Sequence, residues 1–228
     1  MIYIMKKHIL ITGGNGFVGK QICKLANRNS IPIVSISRSG YPKEIIEEEY
    51  SNVKWIAGDV FNPDTWKEYL ANCSAVIHSI GIIEEIPEKG ITFKKMILDS
   101  AKSVGNAAKA AGIKKFVFIS AGAAAPETSK TYLECKIAAE NFLRTLDFNL
   151  TILKPGLIYG EEKPETLIEQ ATIANLLDDP YIGPQIRPNR PLHVKVISKV
   201  ALYAAINEGV NGSLSVDNME TLNNSIKL

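Results

Sequence analysis

The chain has 228 residues, 46% of them hydrophobic, which is enough for one domain with a sizeable core. Lysine and arginine number 26 against 24 acidic residues, and the net charge of +2 excludes a broad basic surface for nucleic acid or an anionic membrane. Three scattered cysteines and three scattered histidines have neither disulfide-framework nor zinc-site spacing, which favours a reducing compartment and no metal centre.

Short apolar runs alternate with amphipathic segments from the N-terminus onward. Strands are expected at His8–Thr12, Pro32–Ser37, Val53–Ala57, Ala75–Ser79, Lys115–Ser120 and Leu150–Leu153. Helices are expected at Lys20–Asn29, at Ser100–Ala111 with Gly112 as its C-terminal cap, and at Ser129–Leu146. Nearly continuous apolar strands separated by helices indicate a parallel sheet buried on both faces. The pattern predicts an α/β fold of the Rossmann type, a doubly wound parallel sheet that binds ligand at the carboxyl ends of its strands.

The character of the chain changes after Pro155, where five prolines and three glycines interrupt the segment that ends at residue 191. We expect residues 160–193 to form a small C-terminal substrate lobe with one helix near Glu165–Leu177. A returning helix over Val194–Glu208 and a last strand at Ser213–Val216 would follow. Residues 1–228 are then expected to form a single NAD(P)-binding domain that carries this lobe.

The first strand runs directly into a glycine-rich turn, TGGNGFVG at positions 12–19. In this spacing Gly13 permits the sharp turn, Gly16 lets the backbone approach a pyrophosphate, and Gly19 lets the next helix pack close to the strand. The start of that helix presents free N–H groups and the positive end of its dipole to the phosphates. The same spacing also occurs in tight strand–helix turns without a ligand, so the turn alone is one indication of a dinucleotide site.

Arg38 follows the second strand, close to where many dinucleotide-binding chains carry an acidic residue for the ribose 2′-hydroxyl. A guanidinium pairs with a 2′-phosphate, and the hydroxyls of Ser37 and Ser39 add further hydrogen bonds. We therefore expect NADP(H) rather than NAD as the cofactor. The alternative is a solvated surface arginine.

Other positions admit both a binding and a structural interpretation. Asp59, after the third strand, either accepts a hydrogen bond from an adenine amino group or caps a turn. Gly81 would let the backbone approach the cofactor ribose, whereas His78 is expected as a packed strand residue rather than a base. Arg187 and Arg190 either line a substrate pocket near an anionic group or belong to a rigid surface connection.

Tyr132 and Lys136 lie four residues apart on the helix expected after the fifth strand, so they share one face. A phenol is a poor base at its usual pKa of about 10. A nearby ammonium and an oxidised nicotinamide favour the phenolate. Tyr132 can then exchange a proton with a substrate oxygen, while Lys136 also holds the nicotinamide ribose. Such pairs are common by chance, but this position in a chain that also has the glycine turn makes the pair specific.

These motifs give the chain its resemblance to a known family. TGGNGFVG (12–19), GDV (58–60), HSIG (78–81), FVFIS (116–120), YLECK (132–136) and KPGLIYG (154–160) resemble the short-chain dehydrogenase/reductase superfamily over essentially the whole length. Segments 34–42, 76–83 and 186–194 look like its atypical branch, which includes an NADPH-binding accessory subunit of respiratory complex I and a dehydrogenase-like protein associated with coenzyme Q biosynthesis.

The resemblance implies a set of site residues. Catalytic roles fall on Tyr132 and Lys136, with Ser120 as a helper. Cofactor contacts are implied for Gly13, Asn15, Gly16, Phe17, Val18, Gly19, Ser37, Arg38, Ser39, Asp59, Val60, His78, Ser79, Gly81, Ser120, Tyr132, Lys136, Pro155 and Ile158.

One position departs from the family pattern. Extended members carry the serine that donates to the substrate oxygen in a Ser-Ser pair after the fifth strand, and here the pair reads Ser120-Ala121. The catalytic hydroxyl therefore falls on Ala121. Losing one such donor costs about a hundredfold or more in rate. The resemblance thus implies cofactor binding more firmly than turnover.

Together these observations predict an NADP(H)-dependent oxidoreductase acting on a carbonyl or alcohol, and the resemblance implies a quinone-like substrate linked to ubiquinone biosynthesis. The alternatives are a non-catalytic NADP(H)-binding structural or regulatory subunit and a nucleotide-sugar epimerase. The resemblance implies the matrix side of the inner mitochondrial membrane and a membrane-associated complex, whereas composition alone also fits the cytoplasm. No apolar run reaches the roughly 18 residues of a membrane span.

Overall fold

The computed structural model describes residues 7–42, 46–122 and 130–228. Its strands are β1 His8–Thr12, β2 Ile33–Ser37, β3 Val53–Ala57, β4 Cys73–His78, β5 Lys115–Ile119, β6 Asn149–Leu153, β7 Ile158–Tyr159, β8 Leu192–His193 and β9 Gly212–Leu214. Its helices are α1 Phe17–Arg28, α2 Ser100–Ala110, α3 Lys130–Arg144, α4 Pro164–Leu176, α5 Gly183–Ile186, α6 Val194–Ile206 and α7 Val216–Ser225.

Seven strands form one parallel sheet in the order β3-β2-β1-β4-β5-β6-β9. The chain moves outward from β1 to β3, returns to β4 beside β1, and then moves outward in the other direction. This reversal places a crevice outside the carboxyl ends of β1 and β4, the topological switch point where open α/β sheets bind ligands. The predicted Rossmann-type doubly wound sheet is confirmed.

Both faces of the sheet are buried, as the apolar strands predict. Ile9 and Ile11 of β1 point into a core cluster that includes residues of α1, α6 and α7. Leu10, between them, points into a second cluster that includes residues of α2 and α3. Because successive side chains of a strand alternate between faces, one uniformly apolar strand supplies both cores.

The structure differs from the sequence prediction at the last strand. We expected a strand over Ser213–Val216, but β9 ends at Leu214 and α7 begins at Val216. The Ser215 hydroxyl accepts a hydrogen bond from the Asn218 N–H at 3.3 Å, and the Asn218 side chain accepts one from the Ser215 N–H at 3.1 Å. This reciprocal cap starts a helix where the apolar pattern alone resembled a continuing strand.

Two other segments were not foreseen. Residues Lys94–Asp99 form a π-helical turn that leads into α2. Within residues 158–193, β7 and β8 pair in parallel and α4 occupies the expected place of the lobe helix. Among the described residues, no helix is both long and apolar enough to cross a membrane.

Candidate cofactor and active site

The glycine turn joins β1 to α1 at the switch point of the sheet. Gly13 has φ +83° and its N–H donates to the Ile36 carbonyl at 3.1 Å. A Cβ on Gly19 would lie 2.2 Å from the Gly13 oxygen, so any side chain there would push α1 off the strand. Gly14 is restricted as well, because its Cβ would lie 2.0 Å from Ser35 Oγ. The glycine spacing did not assign a role to Gly14. Its role follows from the close approach of Ser35 on β2 to the glycine turn.

The start of α1 is open to an anion. Helix α1 begins at Phe17 rather than at the expected Lys20, with Gly16 as an N-cap that offers no side chain and no acidic residue in the first turn. The Phe17 ring packs against Gly160, and Val18 packs against the core. The contribution of this turn to a phosphate site is therefore its backbone N–H groups and the helix dipole.

The segment after β2 forms a tight turn beside the glycine turn. Gly40, at φ +63°, donates its N–H to the Ser37 carbonyl at 3.2 Å. Arg38 and Ser39, between them, are exposed. Among the described residues Arg38 makes no ion pair with a carboxylate. The Asn15 amide bridges the two turns through the Ser39 hydroxyl and the Gly40 carbonyl.

Asp59 caps the turn after β3. Its carboxylate accepts the Phe61 N–H at 3.0 Å, and its carbonyl accepts the Trp66 indole N–H at 2.9 Å. The carboxylate is exposed, so this turn role leaves its second oxygen open to solvent. The neighbouring Val60 side chain is buried in the core and its carbonyl accepts the Ser103 hydroxyl.

His78 is a packed residue at the end of β4. Its side chain is fully buried and stacks on Phe118, with Nδ1 2.7 Å from Thr12 Oγ1 and Nε2 3.2 Å from Ser100 Oγ. Burial, and then the charge of Lys136, lower the pKa of His78 to about 3. The imidazole is therefore neutral at physiological pH and links the strand ends to α2.

This burial predicts a loss of stability in acid. The unfolded chain binds a proton at His78 below a pKa of about 6.5 and the folded chain does not, so the contribution of His78 is present above about pH 6.5 and is lost as the pH falls towards 3. About 2 kcal/mol should disappear between pH 7 and 5. Urea unfolding of His78→Gln should show a flatter pH profile over that interval than wild type. His8→Gln is the control, and parallel profiles for wild type and His78→Gln would contradict the assignment.

Tyr132 and Lys136 project from α3 at the carboxyl end of β5. The Lys136 side chain is buried, and its Nζ donates to the Ile119 carbonyl at 2.8 Å. The ammonium lies 5.8 Å from the centroid of the Tyr132 ring and beside Gly81, where a Cβ would be 3.5 Å away. The Tyr132 ring packs edge-on against Phe93 at 5.5 Å. The loop after β4, the end of β5 and α3 therefore meet around one ammonium group.

Burial acts on both members of this pair. It raises the pKa of Tyr132 above its ordinary value. Desolvation lowers the pKa of Lys136 to about 8, although the Glu140 carboxylate opposes this effect. Burial therefore favours the protonated phenol of Tyr132. The expected phenolate requires a bound oxidised nicotinamide and stays a prediction.

Ser120 is held by a carboxylate that the sequence argument overlooked. Its hydroxyl donates to Glu140 Oε1 at 2.5 Å, and Glu140 Oε2 lies 2.9 Å from Lys154 Nζ. Glu140 is buried one turn after Lys136 on α3, and its spacing of eight from Tyr132 could have indicated a shared face. For Ser120 to act as a catalytic helper, a substrate oxygen would have to compete with the Glu140 carboxylate for its hydroxyl proton. The adjacent Ala121 has no hydroxyl.

The remaining predicted residues lie around the same end of the sheet. The Ser79 hydroxyl donates to the Thr12 carbonyl at 2.8 Å. The buried Pro155 accepts the Gly122 N–H at 2.6 Å through its carbonyl, and Ile158 lies in β7. Arg190 instead pairs with Asp217 at 2.7 Å and with Glu220. This anchors the proline-rich connection to α7 and favours the structural interpretation of that arginine. The described residues hold no cluster suited to a metal ion.

The family of the chain follows from comparisons with known proteins. The model of the NAD(P)H-binding family matches residues 13–181, a range that begins in the glycine turn and ends after α4. An uncharacterised chloroplastic protein of Arabidopsis thaliana is 33% identical over 197 residues, which cover 83% of this chain and 64% of the relative. The mitochondrial NADH-ubiquinone oxidoreductase 40 kDa subunit of Neurospora crassa is 24% identical over 186 residues, 81% of this chain and 48% of the subunit. The chain thus spans less than two thirds of these relatives.

The fold also recurs in solved structures. MoeE5 in complex with UDP-glucose and NAD superposes with a TM-score of 0.66 at 17% identity, over 95% of this chain and 80% of MoeE5. At that identity the match establishes the fold alone. The family model, by contrast, spans most of the chain and begins in the turn described above. This chain therefore belongs to the NAD(P)H-binding family and has the Rossmann fold.

Proposed function

We propose that the protein is an NADP(H)-dependent oxidoreductase that reduces a carbonyl group. The observation that carries the proposal is the position of the Tyr132–Lys136 pair, at the same sheet edge as the glycine turn and with Lys136 Nζ beside Gly81. A cofactor that extends from the turn across the switch point would bring its nicotinamide towards this pair. When bound, the cofactor supplies the reducing equivalent, and the protein has to bind it, position the substrate and deliver a proton.

Tyr132 is the proposed proton donor. The phenol is protonated at neutral pH and burial raises its pKa further, which suits protonation of a carbonyl oxygen better than deprotonation of an alcohol. The Phe93 ring packs against the phenol, and Lys136, whose Nζ donates to the Ile119 carbonyl, would bind the ribose of the nicotinamide. Because Ala121 cannot donate a hydrogen bond to the substrate oxygen, we expect turnover to be slow.

The preference for NADP(H) is proposed from the turn after β2. A 2′-phosphate needs a cation, and Arg38 is exposed there without a carboxylate partner among the described residues. The free N–H groups at the start of α1, together with the glycines of the preceding turn, would suit the pyrophosphate, which both NADPH and NADH carry.

Replacement of Arg38 tests the cofactor assignment. Arg38→Leu should lower NADPH affinity by about tenfold to a hundredfold, the loss expected for a hydrogen-bonded charged contact, with NADH affinity nearly unchanged. Thermal-shift titrations with each nucleotide measure both affinities. Arg28→Leu, in the last turn of α1, is the matched control. Equal stabilisation of the wild-type protein by NADPH and NADH would rule out the 2′-phosphate contact.

A second candidate is an NADP(H)-binding subunit that does not turn over. It is favoured by the commitment of the Ser120 hydroxyl to Glu140 and by the missing hydroxyl at Ala121. Similarity to the mitochondrial oxidoreductase subunit of Neurospora crassa supports a mitochondrial location within a complex. The matrix side of the inner membrane is proposed from the sequence resemblance. The name of that subunit also supports a quinone-like substrate for the catalytic proposal. Hydride transfer from NADPH to added quinones or other carbonyl compounds separates the two candidates.

A further inference from the structure

We infer that Asn15 determines the preference for NADPH over NADH, by turning the hydroxyl proton of Ser39 outward to the 2′-phosphate. This inference rests on the proposed NADP(H) assignment. Asn15 lies between Gly14 and Gly16, where the glycine turn faces the Ser37–Gly40 turn across the crevice. The Asn15 side chain connects the two turns through Nδ2, which donates hydrogen bonds to Ser39 Oγ at 2.8 Å and to the Gly40 oxygen at 2.9 Å.

The partners fix which end of the amide faces this turn. A carbonyl oxygen can only accept a hydrogen bond, so the atom facing Gly40 has to be the NH₂ group of Asn15. An amide nitrogen cannot accept, so the Ser39 hydroxyl is the acceptor of the second N–H. The hydroxyl proton of Ser39 is therefore not used in this contact. Since Ser39 is exposed, its proton can point into the crevice beside Arg38.

The same contacts remove an unfavourable dipole. The Gly40 carbonyl accepts from Asn15 Nδ2 and, at 3.1 Å, from the Ser37 hydroxyl, so both of its lone pairs are used. An unpaired carbonyl at this position would repel a phosphate. The turn instead offers the Ser39 hydroxyl and the Arg38 guanidinium, both donors, to the space between the two turns. That arrangement of donors suits a doubly charged 2′-phosphate, and it contributes much less binding energy to an uncharged 2′-hydroxyl.

Asn15 differs in its expected effect from residues that bind the cofactor in general. Backbone N–H groups of α1 would hold the pyrophosphate, which NADPH and NADH share. Asn15 instead contacts the Ser37–Gly40 turn, which is proposed to hold the 2′ substituent. It is therefore a positioning residue, and its signature is a change in the ratio of the two affinities rather than in both together.

The experiment measures NADPH and NADH affinities of the full chain by thermal shift and fluorescence titration. Asn15→Ala should lower the NADPH-to-NADH affinity ratio about tenfold, the effect of one hydrogen bond to a charged group. Asn15→Asp should lower the ratio further, because a carboxylate would accept a hydrogen bond from the Ser39 hydroxyl and would also repel the phosphate. Asn27→Ala is the matched control. Asn27 lies near the C-terminal end of α1, far from the glycine turn, and its side-chain amide likewise donates to a backbone carbonyl of another segment, that of Glu48 at 3.0 Å.

A double-mutant cycle tests whether Asn15 acts through Ser39. If it does, Ser39→Ala should lower the ratio on its own, and adding Asn15→Ala should lower it little further. Ser39 is exposed, so this variant remains informative even where Asn15→Ala folds poorly. Equal losses for both nucleotides, fully additive effects or an unchanged ratio would overturn the inference while leaving the NADP(H) assignment intact. A wild-type protein without any preference would overturn that assignment as well.

Discussion

Replacing Tyr132 with phenylalanine is expected to lower NADPH-dependent carbonyl reduction by about a thousandfold, within the range for loss of a general acid. The phenyl ring retains the edge contact with Phe93 at 5.5 Å and loses only the hydroxyl. NADPH affinity and the free energy of unfolding should therefore change little. The comparison isolates proton delivery from cofactor binding.

The measurement is oxidation of NADPH followed at its absorbance maximum, with a panel of quinones and ring ketones. Tyr50→Phe is the matched control, because Tyr50 is also buried and burial raises its pKa to about 12, but it lies just before β3 at the amino ends of the strands. Full activity in Tyr132→Phe would remove this residue from the mechanism. No activity in the wild-type protein would favour the non-catalytic subunit instead.

Replacing two glycines of the turn with alanine, one at a time, should distinguish an effect on folding stability from an effect on phosphate binding. Gly19→Ala places a methyl group 2.2 Å from the Gly13 oxygen and 2.7 Å from Gly14 Cα, so α1 has to move away from β1. We expect a destabilisation of about 3 kcal/mol or more, typical of severe overpacking, together with loss of nucleotide binding. A lowered urea midpoint with an unchanged slope would report this effect.

Gly16→Ala is the companion variant. Gly16 has φ −78°, which alanine adopts freely, and a Cβ there would meet only the Gly13 oxygen at 3.2 Å. Its stability should fall by about 1 kcal/mol or less, because the Gly13 carbonyl has to shift only slightly to admit the methyl group. NADPH and NADH affinities should nevertheless both fall by about tenfold or more, because the methyl group occupies the approach to the pyrophosphate. Unchanged affinities would place the nucleotide elsewhere.

The sequence predicted the architecture well because strand and helix periodicities are local. Lys115–Ser120 was expected as a strand and Lys115–Ile119 forms β5. A helix was expected over Ser129–Leu146, and α3 spans Lys130–Arg144. Ser129 lies outside the described residues. Boundaries were less accurate where a cap decides them, as at Phe17 and at Val216, since capping depends on one backbone geometry rather than on a repeating pattern.

The candidate site divides in the same way. The glycine turn and the Tyr132–Lys136 pair were visible because each is a short spacing within one segment. Gly14 and Glu140 were missed because their roles come from other segments, Ser35 on β2 in one case, and Ser120 and Lys154 in the other. No spacing along the chain records such contacts.

The sequence by itself determined the class of the protein, because alternating apolar strands and helices admit one economical arrangement and the glycine spacing marks its ligand-binding end. Tertiary structure decided how individual groups behave there. Burial raises the pKa of Tyr132, burial and the charge of Lys136 keep His78 neutral, and a carboxylate twenty residues away in the chain engages Ser120. Ionisation and hydrogen bonding depend on solvent access and on neighbours, and folding sets both.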